Sequence, residues 1–358
     1  MSEANPIGSR KADHLALCAT DAVAFRAKTT LFEQVRFVHD ALPDLDADAL
    51  DTSCTLFGKP LKAPIVIAAM TGGTDQAAQI NRELAAIAEE HGFGFGLGSQ
   101  RAMHVRTDAG TKSSYSVREV APNALVLGNL GVVQARQMTL AEIEALVRSI
   151  EADALCIHLN PAMELVQPGG DRDFRGGLDT IAAAVRELPF PVIVKETGCG
   201  LSRGVGERLL GAGVRHVDTS GAGGTSWVAV ETKRAEAAGD HAARALGEAL
   251  WDWGIPTAAS IGMLAPLGFE TIVATGGVSC GLDVARAIAL GASAAGIARP
   301  VLMALTAGGR EGAVAFLQGV LTELRAVMLL TGSPDIASLR RAQRLIGGEL
   351  RLWLDVPT

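Results

Sequence analysis

Aromatic side chains are scarce in this chain of 358 residues: 4% in all, with a single Tyr. Binding of single-stranded nucleic acid by base stacking needs a platform of such rings, so that class of function is disfavoured. Cationic charge is not in excess either. Thirty-nine Asp and Glu against 32 Lys and Arg leave a net charge of −7, which speaks against a general polyanion binder and leaves room for a local phosphate pocket. The five Cys, at 18, 54, 156, 199 and 280, are odd in number and never in CxxC spacing. That pattern argues against a disulfide framework and for a reducing compartment. The first twenty residues hold no apolar run of signal-peptide length, and no eighteen-residue stretch is free of charge and helix breakers as a membrane span requires. The chain reads as soluble and cytoplasmic, without a nucleic-acid or membrane partner.

Apolar residues are plentiful, at 48% against 20% charged, which excludes disorder and supplies a large core built from Ala, Leu, Val and Ile. Short unalternating apolar runs recur at Pro64–Ala68, Phe93–Leu97, Ala124–Gly128, Ala154–Leu159, Pro191–Lys195, His216–Thr219, Thr257–Ser260, Thr271–Thr275 and Ala294–Ile297. Such runs suit strands buried on both faces. Helical patterns lie between them at Asp75–His91, Thr139–Glu151, Leu178–Leu188, Gly206–Gly211, Ala235–Trp253 and Gly281–Leu290, and Thr139 with Glu142 has capping-box spacing. About eight alternations imply a parallel sheet with right-handed crossovers. Nothing in the composition cuts the chain in two. The expectation is an α/β fold, a single (β/α)8 TIM barrel over 1–358. Residues 1–60 form an N-terminal arm and lead-in, and 305–358 form C-terminal helices. A doubly wound open sheet is the alternative.

In a barrel the active residues follow the strands, at their C-terminal ends. Polar and small residues gather there after nearly every apolar run: Ala69–Thr74, Gly98–Arg101, Asn129, Asn160, Lys195 with Glu196, Ser220–Trp227, Gly276–Ser279 and Ala298–Pro300. Ordinary turn chemistry accounts for any one of these loops, but not well for all of them together. Gly221–Ser226 and Gly276–Gly277 come late in the barrel, where the fold often seats a phosphate on backbone N–H groups, and glycine lets the chain approach an anion closely. Asp283 and the helix starting near Gly281 would put a helix dipole behind the second loop. Lys195 would hold negative charge on a flavin ring or substrate, or else pair with Glu196 or another neighbour. His158 is either a site residue or a hydrogen-bonded core histidine. A carboxylate in the segment 158–171 would hold Mg²⁺ through waters beside a diphosphate. The arm Arg10-Lys11-Ala12-Asp13-His14 would reach that diphosphate, or else is a solvated tail.

Taken together, these segments resemble the type 2 isopentenyl diphosphate isomerases. The matching pieces are RKADHL at 10–15, AAMTGGT at 68–74, GSQR at 98–101, NLG at 129–131, HLN at 158–160, VQPGGDRDF at 166–174, VKETGCGLS at 194–202, DTSGAGGTSW at 218–227, and ATGG with GLDVARAIALGA within 274–292. The resemblance implies an FMN-dependent (β/α)8 enzyme that interconverts isopentenyl and dimethylallyl diphosphate with Mg²⁺, reduced flavin and a reductant such as NAD(P)H. It implies that Thr71, Gly72, Ser99, Asn129, Lys195 and Thr225 touch the flavin, and that Gly277 and the residues around Ala298 bind its phosphate. It also implies Arg10, Lys11, Ser99, Arg101 and His158 as ligands of the substrate diphosphate, and Glu164 as the Mg²⁺ carboxylate. A homo-oligomer is expected, since barrels with arms often associate.

Two positions depart from the resembled pattern. Met163 stands where the family has Gln, and a thioether has no proton to give. Ser279, followed by Cys280, stands where the family has Arg. These departures keep two other readings open: an FMN enzyme of the same scaffold acting on another substrate or as an oxidoreductase, and a non-catalytic FMN or metabolite binder.

Overall fold

The computed structural model describes residues 6–105 and 109–355, without the side chains of 6–10, 12 and 109. Eight parallel strands close into a barrel: β1 Ile65–Ile67, β2 Gly94–Gly96, β3 Leu125–Gly131, β4 Ala154–Leu159, β5 Val192–Glu196, β6 His216–Asp218, β7 Thr271–Thr275 and β8 Ala294–Ile297. They pair in sequence order, and β8 returns to β1 through the Gly296↔Val66 register. Closure excludes the doubly wound open sheet. Strand residues such as Ile65, Ile67, Val194 and Val217 are wholly buried, as strands covered on both faces must be.

Eight of the nine apolar runs are these strands; the ninth is not. Thr257–Ser260 opens a helix, Thr257–Leu264, which packs on β7 and against the helices Arg203–Gly211 and Gly281–Leu290. Every residue from Thr257 to Ile261 is buried, so the run carries no apolar–polar period to distinguish strand from helix. The helical pattern at Ala235–Trp253 is likewise two helices, Trp227–Ala237 and His241–Ala249. Gly239, at φ +71°, turns the chain between them, and Asp240 caps the second through its side chain and Ala243 N–H. The predicted capping box is present: Thr139 Oγ1 accepts from Glu142 N–H, and the Glu142 carboxylate accepts from Thr139 N–H at 2.7 Å.

The flanks are an arm with its lead-in and C-terminal helices, and they carry strands as well. The arm is a helix, Pro6–Cys18, whose Leu15 and Cys18 bury against Trp251, Ala229 and Leu302. Val35–Phe37 in the lead-in pairs antiparallel with Arg344–Ile346 near the C-terminus, so the two flanks form a small sheet of their own. A hairpin, Cys54–Leu56 with Lys59–Leu61, plugs the barrel floor with Leu56 and Leu61. The helix Arg299–Leu330 is long and apolar enough to cross a membrane by length and composition. It breaks at Gly308–Gly309, carries Arg310 and Glu311 after the break, and packs Leu317, Val320, Leu324 and Met328 into the core.

Candidate active site

The C-terminal mouth of the barrel holds a cavity of about 380 Å³, within the range of pockets that take a cofactor or small substrate. Its wall brings together most of the residues singled out in the sequence: Thr71, Ser99, Asn129, Lys195, Thr225, Gly277 and Ala298, and also Lys11, Arg101, His158, Met163 and Glu164. Arg10 lies on the arm helix, with its side chain outside the described residues. Gly72 is not on the wall. It backs onto Tyr115, where an added Cβ would overlap the phenol ring. Gly98 is constrained in the same way by the Thr71 backbone. These two glycines let the loops after β1 and β2 lie face to face.

Tyr115 organises the cationic side of the pocket, and sequence reasoning missed it. Its hydroxyl donates to Ser99 O at 2.6 Å and accepts from Lys11 Nζ at 2.7 Å, while Lys11 Nζ also reaches Ser99 O at 3.3 Å. Burial pushes the phenol above its ordinary range, so it stays a neutral donor. Its being the chain's single Tyr was the one signal available. The arm is docked rather than solvated. Besides Lys11, His14 Nε2 meets Glu231 Oε1 at 2.7 Å, and the imidazole packs edge-on against Trp227. Glu231 is fully buried and is also paired with Arg234.

His158 lines the pocket and is also hydrogen-bonded. Its Nδ1 lies 2.9 Å from Asn129 Oδ1, and Asn129 Nδ2 donates to Leu97 O at 3.1 Å. The carbonyl fixes the amide orientation, so Oδ1 accepts, Nδ1 carries the hydrogen, and Nε2 is left as the acceptor. Burial first, then the charges of Lys195 and Arg101, push this imidazole down to about 4, so it is neutral at pH 7.

Glu164 is buried on the short helix Pro161–Val166. Its Oε1 accepts from Asn160 Nδ2 at 2.8 Å, and its Oε2 from Gln167 Nε2 at 3.1 Å and Asp171 N–H at 2.8 Å. A carboxylate has about four acceptor sites, so one remains. No three His, Cys, Asp or Glu side chains converge among the described residues. A cation here would need oxygens from a substrate or water in addition to Glu164, which is the way Mg²⁺ is usually held. Lys195 Nζ pairs with Asp218 Oδ2 at 3.2 Å, not with Glu196. Glu196 instead accepts the N–H groups of Thr197 and Cys199, both at 2.5 Å, and burial pushes it up to about 8. Cys18, on the pocket wall, and Cys156 are buried thiols pushed up to about 12, so neither is a thiolate nucleophile.

The two Gly-rich loops meet. A Cβ at Gly224 would overlap Gly277 backbone, one at Gly276 would overlap Gly221, and Gly223, Gly276 and Gly277 all have positive φ. Only glycine gives this backbone-to-backbone approach. The helix Gly281–Leu290 starts where expected, but its first turn is already taken: Asp283 accepts from Ser279 N–H and Oγ, and Glu323 from Gly281 N–H. The N-terminus of Arg299–Leu330, after Ala298, has no such side-chain cap. Thr71 Oγ1 and Thr275 Oγ1, both of pocket-lining residues, are buried without a hydrogen-bond partner. Buried polar groups are ordinarily satisfied, so these orphans fit a ligand with polar edges lying between them.

The comparisons with known proteins bear on which ligand that is. The FMN-dependent dehydrogenase family matches residues 5–157 and 255–345. The isopentenyl-diphosphate delta-isomerase of Methanosarcina barkeri is 46% identical over 339 residues, covering 95% of this chain and 92% of that one. The chain belongs to the FMN-dependent isopentenyl-diphosphate delta-isomerase family. Other members are equally well covered: that of Nostoc sp. is 42% identical over 94% of this chain and 95% of its own, and that of Pyrococcus furiosus 41% over 99% and 91%. Among solved structures, a mandelate oxidase with bound (S)-mandelic acid superposes with a TM-score of 0.65 at 18% identity, covering 95% and 94%. A lactate oxidase from Pediococcus acidilactici superposes with 0.67 at 15%, covering 96% and 94%. These two share the fold. Family membership makes FMN the cofactor of this barrel, and the facing glycine loops and orphaned threonines fit it.

Proposed function

We propose that this chain interconverts isopentenyl and dimethylallyl diphosphate, as an FMN-dependent isomerase of isoprenoid biosynthesis acting in the cytoplasm. The observation that carries the reading is the division of one pocket into a cationic rim and a glycine cradle. The rim holds Lys11, Arg101 and His158, and the Gly223–Gly224 and Gly276–Gly277 turns follow β6 and β7, further round the closed barrel from β2 and β4. Under this reading the backbone of Gly277 and the N–H groups following Ala298 seat the FMN phosphate. Thr71, Ser99, Asn129, Lys195 and Thr225 line the flavin ring, with Gly72 acting behind them through Tyr115. With Asp283 filling the neighbouring helix start, Ser279 leaves the phosphate to backbone groups rather than to a side-chain cation.

Arg10, Lys11, Ser99 and Arg101 hold the substrate diphosphate, and His158 turns Nε2 to it, donating to a diphosphate oxygen only when that nitrogen takes up a proton. Glu164 holds Mg²⁺ at its remaining acceptor site, with diphosphate oxygens completing the shell. When bound and reduced by a donor such as NAD(P)H, FMN supplies an acid–base centre next to the substrate's double bond. The chain's own residues do the rest. Leu15, Met70, Trp227 and Leu302 give the hydrocarbon an apolar wall and exclude water, and the Tyr115 hydroxyl keeps Lys11 at Ser99. Met163 offers no proton at the pocket wall, so this reading assigns proton transfer elsewhere than to that side chain.

A second reading, an FMN enzyme acting on another substrate, is favoured by Met163 and Ser279 alone. The deciding experiment is turnover of isopentenyl diphosphate by protein reconstituted with FMN, with reductant and Mg²⁺. Dimethylallyl diphosphate is the expected product. Flavin bound without any turnover would move the assignment to the second reading.

A further inference from the structure

Asp218 is a buried carboxylate of the barrel that the proposed chemistry leaves without a role. It ends β6, in register with Lys195 on β5. Both side chains are about nine-tenths buried, and Asp218 Oδ2 stands 3.2 Å from Lys195 Nζ. The other carboxylate oxygen, Oδ1, accepts from Ser220 N–H at 3.1 Å. Ser220 has φ +37°, a left-handed conformation that a side chain adopts at a cost, and it begins the glycine loop. Its carbonyl in turn accepts from Gly198 and Gly200 N–H at 2.9 and 3.1 Å. One carboxylate thus ties a cation on one strand to the turn that launches the glycine loop on the next.

Beneath the pair lies a second, small cavity of about 20 Å³, walled mostly by apolar residues, including Leu97, Leu127 and Val273. That floor keeps bulk water away from below, so the ammonium depends on Asp218 for its compensation.

We propose that Asp218 is a positioning residue for the flavin site: it holds the Lys195 ammonium at the pocket wall and, through Ser220, sets the loop that faces it. The inference rests on Lys195 touching the flavin, as proposed above. Asp218→Asn separates the two functions of the carboxylate. The amide oxygen can still accept from Ser220 N–H, while its NH₂ turns a donor toward a donor at Lys195.

The test is a double-mutant cycle read by FMN titration of the flavin-stripped full chain, following quenching of flavin fluorescence. Lys195→Met alone should weaken FMN binding about tenfold, Asp218→Asn alone by a similar factor, and the two together scarcely more than either, the coupling expected of directly paired groups. Equal losses for Asp218→Asn in both backgrounds would mean that it only stabilises the loop, and would overturn the proposal. So would unchanged affinity in Asp218→Asn while Lys195→Met is impaired. Unchanged affinity in Lys195→Met would refute the Lys195 contact itself, and the proposal with it. Should Asp218→Asn fail to fold, Asp218→Glu keeps the charge but displaces it. It should lose affinity only where Lys195 is present, and a loss in both backgrounds overturns the proposal.

Discussion

Replacing His158 by Gln should flatten the acid limb of the stability curve. In the folded chain the imidazole is pushed down to about 4, by burial and by Lys195 and Arg101, whereas an unfolded His titrates near 6.5. Between those values the unfolded chain takes up a proton that the folded chain refuses. Stability is therefore full above about pH 6.5 and falls as the pH drops toward 4. The loss from this one group is about 2–3 kcal/mol by pH 4.5 and levels off at about 3 kcal/mol below pH 4. Gln keeps a donor for Asn129 Oδ1 and has no charge to gain. Urea unfolding followed by tryptophan fluorescence between pH 7.5 and 4.5 should show the variant overtaking the wild type as the pH falls. Parallel curves would refute the assignment of the acid loss to His158. The same ring gives a binding test. Inorganic pyrophosphate beside Nε2 favours the protonated form, so calorimetry at pH 6 in two buffers of different ionisation heat should detect more proton uptake by wild type than by His158→Gln, the anion's own proton exchange being common to both.

Tyr115→Phe removes the hydroxyl that joins Lys11 to Ser99. It should cost about 1–2 kcal/mol in urea unfolding and weaken pyrophosphate binding; unchanged affinity would show that Lys11 is held by its other contacts. Glu164→Gln should raise the Mg²⁺ concentration needed for half-maximal turnover, and activity indifferent to both metal and mutation would make Glu164 a structural residue. Met163→Gln restores an amide at the pocket wall and should raise the isomerisation rate with reduced FMN. A wild type as fast as the variant would show that the thioether is no handicap.

The barrel was legible from the chain alone because strands buried on both faces are written as short apolar runs, and eight of them are. Their polar ends named the pocket, since a closed barrel brings all its strand ends to one mouth. The departures at Met163 and Ser279 were also readable as residue types. Tertiary structure decided what one dimension cannot hold. Thr257–Ser260 is as apolar as a strand, and only its packing between helices makes it one of them. Tyr115 is remote in sequence from Lys11, 104 residues away, and Asp218 lies on a different strand from Lys195. Pairing across such distances depends on which strands become neighbours, and neither composition nor period encodes that. Lys195 faced two carboxylates in prospect, Glu196 beside it in sequence and Asp218 beside it in the sheet. Successive residues of a strand point to opposite faces, while register partners point the same way, so the ammonium met Asp218.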